Sequence, residues 1–315
     1  MQPTSLREVP LVSVVVPTRN RPAMLREALA SIDGITRDGF EIETIVVDDA
    51  PSDDTSHVAH EMKARYVRGS GRGASVARNA GIAAAQGEVI AFLDDDDAWL
   101  PGNLAPQMRL LRSHPDFVAV VSRFAVADSR LESQDAPHPR QGLPSGNMLE
   151  ALLAHMVPPG TIVARTGVVR AIGGFDETLH SVEEWDFVLR LARHGHMGYA
   201  DILSLLVRAH PEVRSYTASK WEDVSWRRFH DMQYVFRRHT RDLPLPARIR
   251  AMRALIKRRG WFVVQFVQYA QDYSREGNWV GVMRSLAFAL RISPPHTALC
   301  LQRLARSRLF PGSSN

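Results

Sequence analysis

Runs of β-branched residues alternate with helical periodicity along the first third of the chain. Leu11–Val16 (LVSVVV) is apolar throughout and closed by Pro17, the pattern of a strand buried on both faces. Pro22–Ile32 places its apolar residues at helical spacing. Ile42–Val47 predicts a second buried strand, followed by Asp48, Asp49 and a helix beginning near Ser52. Arg65–Val67 predicts a short third strand, Gly69–Gly73 a glycine-rich loop and Ala74–Ala85 a helix. Val89–Leu93 predicts a fourth strand that ends in Asp94–Asp97. Such βα alternation implies a parallel sheet covered by helices.

The middle is less regular. Phe117–Val126 and Gly160–Arg165 read as strands, and the Pro-rich, polar stretch Asp128–Pro144 as a loop. Val168–Ile172 reads as a helical turn, Glu183–Arg193 as a helix, and Gly198–Val207 as one or two short strands. After Trp221 the pattern is helical almost to the end, broken at Pro244–Pro246 and Pro294–Pro295. Its aromatics, Trp226, Phe229, Tyr234, Phe236, Trp261, Phe262, Phe266, Tyr269, Trp279 and Phe288, are expected mostly in a core.

Composition narrows the class. With 315 residues, 45% hydrophobic, the chain is long enough for one large domain or two ordinary ones. Its single cysteine, Cys300, excludes a disulfide framework and a Cys-based zinc site. No apolar run approaches the ~20 residues of a transmembrane helix, and Met1–Pro10 lacks a signal-peptide core, so a cytoplasmic protein is expected. The net charge of +5 conceals an asymmetry: residues 237–315 carry 15 basic and 3 acidic side chains, residues 1–236 carry 24 and 31. The basic cluster Arg248, Arg250, Arg253, Lys257, Arg258 and Arg259 suits an anionic membrane or a phosphorylated acceptor. It lacks a nucleic-acid recognition motif, so no nucleic acid is expected.

The strongest chemical signal is Asp94-Asp95-Asp96-Asp97 directly after a strand, where open α/β sheets bind ligands. At ~4 Å and an effective dielectric of ~20, each pair of carboxylates repels by on the order of 4 kcal/mol. A hard cation, Mg²⁺ or Mn²⁺, relieves that cost and keeps positions for phosphate oxygens. Asp48-Asp49 ends a second strand on the same edge; one of the pair could accept from a base or ribose while the other starts the helix at Ser52. Pro17-Thr18-Arg19-Asn20-Arg21 follows the first strand and suits an anion, and Arg78 could reach a phosphate. Gly69, Gly71 and Ala74 imitate a dinucleotide fingerprint, but they follow the third strand, and one ribose needs one acid rather than four. Glu183-Glu184-Trp185-Asp186 opens a helix in which one acid could be a general base and another a structural anion paired with Arg190 at i+4.

Four segments in order, VSVVVPTRN, IVVDDAPSDDT, GASVARNAGIAAAQGEVIAFLDDDDAWLPGNL and GGFDETLHSVEEWDFVLRLARHG, resemble the inverting glycosyltransferase family 2 with its GT-A fold. The resemblance covers roughly residues 11–215. It implies an α/β fold, Rossmann-like, with a mostly parallel central sheet and flanking helices, plus a C-terminal helical appendage. Residues 1–215 would form the catalytic domain, with a nucleotide-binding half to about residue 100 and an acceptor half beyond it; residues 216–315 would be the basic helical region. The donor would be a nucleoside diphosphate sugar, uridine being the commonest base in the family. The acceptor would be a saccharide, lipid-linked or small-molecule hydroxyl. The same resemblance implies that Pro17, Thr18, Arg19, Asp48, Asp49, Arg78, Asp94 and Asp95 contact the sugar nucleotide. Asp96 would bind the Mn²⁺ or Mg²⁺, joined by His210. Glu184 would be the base with Asp186 in reserve, Glu-Glu standing here where most relatives show Glu-Asp. Neither Q-x-x-R-W nor membrane helices are present, which implies one sugar per encounter. The competing classes are a nucleotidyltransferase on a related fold, which would need a glycine loop after the first strand, and a membrane- or nucleic-acid-binding protein led by the basic tail.

Overall fold

The computed structural model describes residues 8–209 and 218–309, with only the backbone described at residues 218–222 and 303–309 and at Lys257, Arg258 and Trp261. The chain divides into two compact units, Met1–Pro211 and Glu212–Asn315.

The first unit opens with β1 (Leu11–Thr18), α1 (Pro22–Asp33), β2 (Glu41–Asp48), α2 (Asp53–Glu61), β3 (Arg65–Arg68), α3 (Ala74–Ala84) and β4 (Val89–Phe92). It continues with β5 (Ala98–Trp99), α4 (Ala105–Ser113), β6 (Phe117–Ala127), α5 (Leu149–Ala154), a 3₁₀ turn at Pro159–Thr161, β7 (Ile162–Arg165), α6 (Thr166–Ala171), α7 (Glu183–His194) and β8 (His196–Arg208). The eight strands form one sheet in the order β3-β2-β1-β4-β7-β6-β8-β5. Strands β1 to β4 are mutually parallel, and β6 is parallel to β8. β7 runs antiparallel between β4 and β6, and β5 antiparallel to β8. The sheet is thus mostly parallel, with β7 and β5 reversed.

Alternation along β1 sends Val12, Val14 and Val16 into a core with Leu25, Leu29 and Ile32 of α1, Val58 of α2, and Met108 and Leu111 of α4. Each such side chain contributes roughly 1.5–3 kcal/mol on burial. On the other face α3 lies against β1 at Gly81, where a Cβ would meet Val15 Cγ1 at 2.2 Å. Phe92, Phe175 and Phe187 cluster at ring separations of 4.2–5.6 Å and join the end of β4 to α7. The region read as one or two short strands is the single 13-residue β8, whose pairing with β6 shifts register. Asp128–Pro144, read as a loop, is tacked to β6 by bridges at Phe124–His138 and Ala127–Ser133.

The second unit consists of α8 (Ala218–Thr240), α9 (Leu245–Arg275), α10 (Trp279–Ile292) and α11 (Pro294–Leu309). Trp226 stacks on Phe288 at 4.4 Å, and Phe229 and Phe262, like Phe266 and Phe288, meet edge to face. Phe236 and Tyr269 are buried with them, as expected of core aromatics. Tyr234 and Trp279 are not core residues: both are exposed. No helix among the described residues is long and apolar enough to cross a membrane.

Candidate active site

Because β1, β2 and β4 are parallel, with Thr18 beside Asp48 and Val15 beside Phe92, their carboxyl ends open on one edge of the sheet. The acidic run leaves β4 there, and protein groups engage all four of its carboxylates. Asp94 Oδ1 accepts from Arg78 Nη2 at 2.6 Å. Asp95 accepts from the Thr18 hydroxyl at 2.6 Å and from Arg21 at 3.3 Å. Asp96 Oδ2 accepts from Arg21 Nη1 at 2.7 Å. Asp97 accepts the backbone N–H of Arg208, whose Nε donates to the Asp96 carbonyl. Burial, reinforced by Asp96 and Asp94 against the pull of Thr18, pushes the Asp95 carboxyl up to about 6. Burial, with Asp94 and Asp96 beside it, holds Asp97 well above the usual carboxylate range.

A cavity of about 370 Å³ opens against this edge. Pro17, Thr18, Arg19 and Arg21 line it from the end of β1, Asp94, Asp95 and Asp96 from β4, Gly73, Ala74, Ala77 and Arg78 from α3, and Asp49 from β2. Asp49 organises the glycine loop: its two carboxylate oxygens accept the N–H groups of Gly71 and Gly73, each at 2.9 Å. Those glycines adopt φ of +77° and +105°, which side-chain-bearing residues rarely enter. This explains the dinucleotide-like spacing without a dinucleotide. Asp48 does not belong to the cavity, contrary to the sequence expectation. It is fully buried, accepts from the N–H groups of Ala50 and Ser52 and from the Tyr66 hydroxyl, and closes the turn into α2. The carboxylate that starts the helix is therefore Asp48, with Ser52 as the N-cap.

Arg78 joins this edge to α7. It is buried, donates to Asp94 and to Glu183 Oε1 at 3.1 Å, and lies 5.2 Å from the Phe175 ring centre. Burial works against its charge, and Asp94, Glu183 and Glu184 more than offset that, holding its pKa above the ordinary arginine value. Glu184 follows on the first turn of α7. Burial, with Glu183 beside it, pushes its carboxyl up to about 7 against the pull of Arg78. The helix is entered through Val182, a buried β-branched residue at φ +55°, a strained conformation costing about 1–3 kcal/mol. Asp186 is turned elsewhere: it is completely buried and paired with Arg190 Nε at 2.6 Å, while Arg190 also donates to the carbonyls of Ile172 and Gly174. Its expected reserve role as base gives way to that of structural anion.

Three contributors had no individual role assigned from the sequence, two of them standing there only as members of longer segments. Arg21 stands on Asp95 and Asp96, Glu183 receives Arg78, and Arg208 clamps the backbone of the acidic run. Their only sequence signals are proximity: Arg21 ends the PTRNR segment, Glu183 precedes Glu184, and Arg208 lies two residues before His210.

Among the described residues no group of three or more His, Cys, Asp or Glu forms a ready-made metal cage. The donor set nonetheless fits a hard divalent cation shared with a diphosphate, which needs only one or two protein carboxylates. Asp94 and Asp96 line the cavity, and the Arg21 guanidinium, a cation, already sits on Asp96. His210 lies outside the described residues.

Comparison with known proteins bears on the family and the fold. The model of the family described as "Glycosyl transferase family 2" matches residues 13–173. The pre-mycofactocin glycosyltransferase of Mycobacterium tuberculosis is 30% identical over 227 residues, covering 66% of this chain and 45% of that protein. The chain thus spans about half the length of that curated relative. Among solved structures, Staphylococcus aureus TarS (residues 1–349, in complex with UDP-GlcNAc) aligns with a TM-score of 0.56 at 15% identity, over 87% of this chain and 90% of that one. A mannosyltransferase from Pyrobaculum calidifontis, in complex with GDP-Man and Mn²⁺, aligns with a TM-score of 0.57 at 18% identity, over 98% and 90%. These structures share the fold.

Proposed function

The chain belongs to glycosyl transferase family 2, and from that premise we propose that it moves a sugar from a nucleoside diphosphate sugar to an acceptor hydroxyl, with inversion at the anomeric carbon. The observation that carries this reading is the coupling of two features through Arg78: a polar cavity at the carboxyl edge of β1, β2 and β4, and a carboxyl near neutrality on α7. Nucleotide-sugar complexes of two fold relatives support the donor class.

In this reading Pro17, Thr18, Arg19 and Asp49 line the nucleoside end, and Arg19 and Arg21 present donors to the diphosphate. Asp96 and Asp94 would hold Mn²⁺ or Mg²⁺, and the ion when bound supplies charge neutralisation for the departing diphosphate. Glu184 takes the proton of the acceptor hydroxyl, and the oxygen attacks the anomeric carbon opposite the leaving group. The bond from that carbon to the diphosphate oxygen breaks, and no covalent sugar–enzyme intermediate forms. A base whose pKa lies near the operating pH is the most effective. The proposed donor is a UDP sugar, and the acceptor a saccharide, lipid-linked or small-molecule hydroxyl taken once per encounter.

Calorimetric titration with UDP and GDP, with and without Mn²⁺, tests the donor assignment. UDP binding strengthened by Mn²⁺, and unstrengthened in Asp96→Asn of unchanged circular dichroism, is the expected result. Absence of any nucleoside diphosphate binding overturns it. The anomeric configuration of the product, read by NMR, tests inversion.

A further inference from the structure

We propose that α9 is a membrane-docking helix that lies in the surface of an anionic phospholipid bilayer. Four large apolar side chains on its first half are exposed to solvent: Leu245 (69%), Ile249 (45%), Met252 (37%) and Ile256 (44%). Their spacing of four, three and four residues places them on one stripe, within about 60° of arc at ~100° per residue. The face that packs inward is a different one, carrying Ala247, Ala251, Leu255, Phe262 and Phe266. Four exposed apolar residues in register, on a helix that already has a buried face, are not the scattered singletons of an ordinary surface.

Charge decides what covers the stripe. The exposed Arg248 flanks it on one side and the exposed Arg250 and Arg253 on the other by the same helical arc, and no Asp or Glu occurs between Asp242 and Asp272. Apolar residues in the middle and arginines at both borders let the stripe enter the acyl boundary while the guanidinium groups stay at the phosphates. A nucleic acid would match the arginines and leave the apolar stripe without a counterpart. A neutral protein groove would match the stripe and do nothing for the positive charge along its borders. The next helix repeats the composition: α10 exposes Trp279, Met283 and Leu290 and contains no acid, and tryptophan favours the headgroup level of bilayers. Since no described helix is suited to crossing a membrane, the contact is interfacial.

The inference does not rest on the glycosyl-transfer reading, because it is tested without turnover. The full chain is sedimented with vesicles of phosphatidylcholine alone or with 30% phosphatidylglycerol, at low and high salt. Binding is expected only with phosphatidylglycerol, and weakened by salt. Arg248→Gln/Arg253→Gln should weaken it on the order of 30-fold, at ~1 kcal/mol per basic residue. Ile249→Ser/Ile256→Ser should weaken it about tenfold or more at unchanged charge and circular dichroism. Three results overturn the proposal: no binding to anionic vesicles at low salt; an Ile249→Ser/Ile256→Ser variant that binds like the parent; or a parent chain that ignores vesicles and self-associates through this stripe, as shown by sedimentation velocity.

Discussion

Arg21 Nη1 lies 2.7 Å from Asp96 Oδ2, so an arginine from the entry to α1 holds the carboxylate proposed to bind the metal. The same guanidinium reaches Asp95 at 3.3 Å. A bound divalent ion and Arg21 compete for one oxygen. Arg21→Met should therefore bind Mn²⁺ about fivefold more tightly in the absence of nucleotide, the scale of a half-exposed ion pair worth up to ~1 kcal/mol. Electron paramagnetic resonance of free Mn²⁺ measures this directly. Weaker binding in the variant would mean that Arg21 orients Asp96 rather than covering it.

Glu184→Gln is expected to keep donor affinity and lose at least ~10²-fold in turnover, the usual scale of a positioned base. In the parent enzyme kcat/KM should rise with pH and level off above about 7, because only the ionised carboxylate accepts a proton. Stability runs the other way. A carboxyl raised in the folded state stabilises below its unfolded pKa, and that contribution is lost as pH climbs to about 7. Thermal melts should thus show Glu184→Gln gaining on the parent between pH 5 and pH 8. A kcat/KM profile flat from pH 5 to 8 would remove Glu184 from the mechanism.

Replacing Arg78 by Met leaves Asp94 and Glu183 facing one another without their shared cation. Breaking a buried pair of this kind costs roughly 3–5 kcal/mol, and denaturant unfolding should register a loss of that order. Asp94→Asn in the same background should recover part of it, since one of the two charges is gone.

Asp186→Asn separates structure from chemistry on the same helix turn. Its partner Arg190 also holds the carbonyls of Ile172 and Gly174, so the loss falls on packing of α7. The expected result is a lower melting temperature with turnover per folded molecule within about twofold of the parent, a base contributing far more than that. Loss of turnover at unchanged melting temperature would return Asp186 to the list of bases.

Asp49→Ala frees the amides of Gly71 and Gly73. Hydrogen exchange at these two amides should accelerate, and nucleotide affinity should fall with it, because the loop is part of the cavity wall.

The acidic ends of β2 and β4 and the parallel pairing that brings them together were legible in the chain, because buried parallel strands are continuous apolar runs and need no distant information. The choice between Asp48 and Asp49 was not. Both are the same residue type at one strand end, and which one turns to the cavity depends on Tyr66 and the glycine loop, 18 to 24 residues away. The direction of β7 was equally hidden, since a four-residue run, Ile-Val-Ala-Arg, reads the same for either orientation. β5 has only two residues and therefore no period, and α5, with six, spans less than two helical turns. Arg21 could not be matched to a partner 75 residues distant by any local rule.

The antiparallel seat of β7 has a consequence for biosynthesis. β4 pairs with β1 on one side, and its other side stays open until Ile162–Arg165 has been made. At about 5–20 residues per second, the ~70 intervening residues keep that edge uncovered for several seconds on the ribosome. All four of its residues are apolar and buried in the finished protein, which makes the nascent edge a template for strands of other chains. β7 is the stopper that ends this exposure. A fragment cut short after β4 would have to retain Ile162–Arg165 or carry that open edge permanently, and would be expected to aggregate.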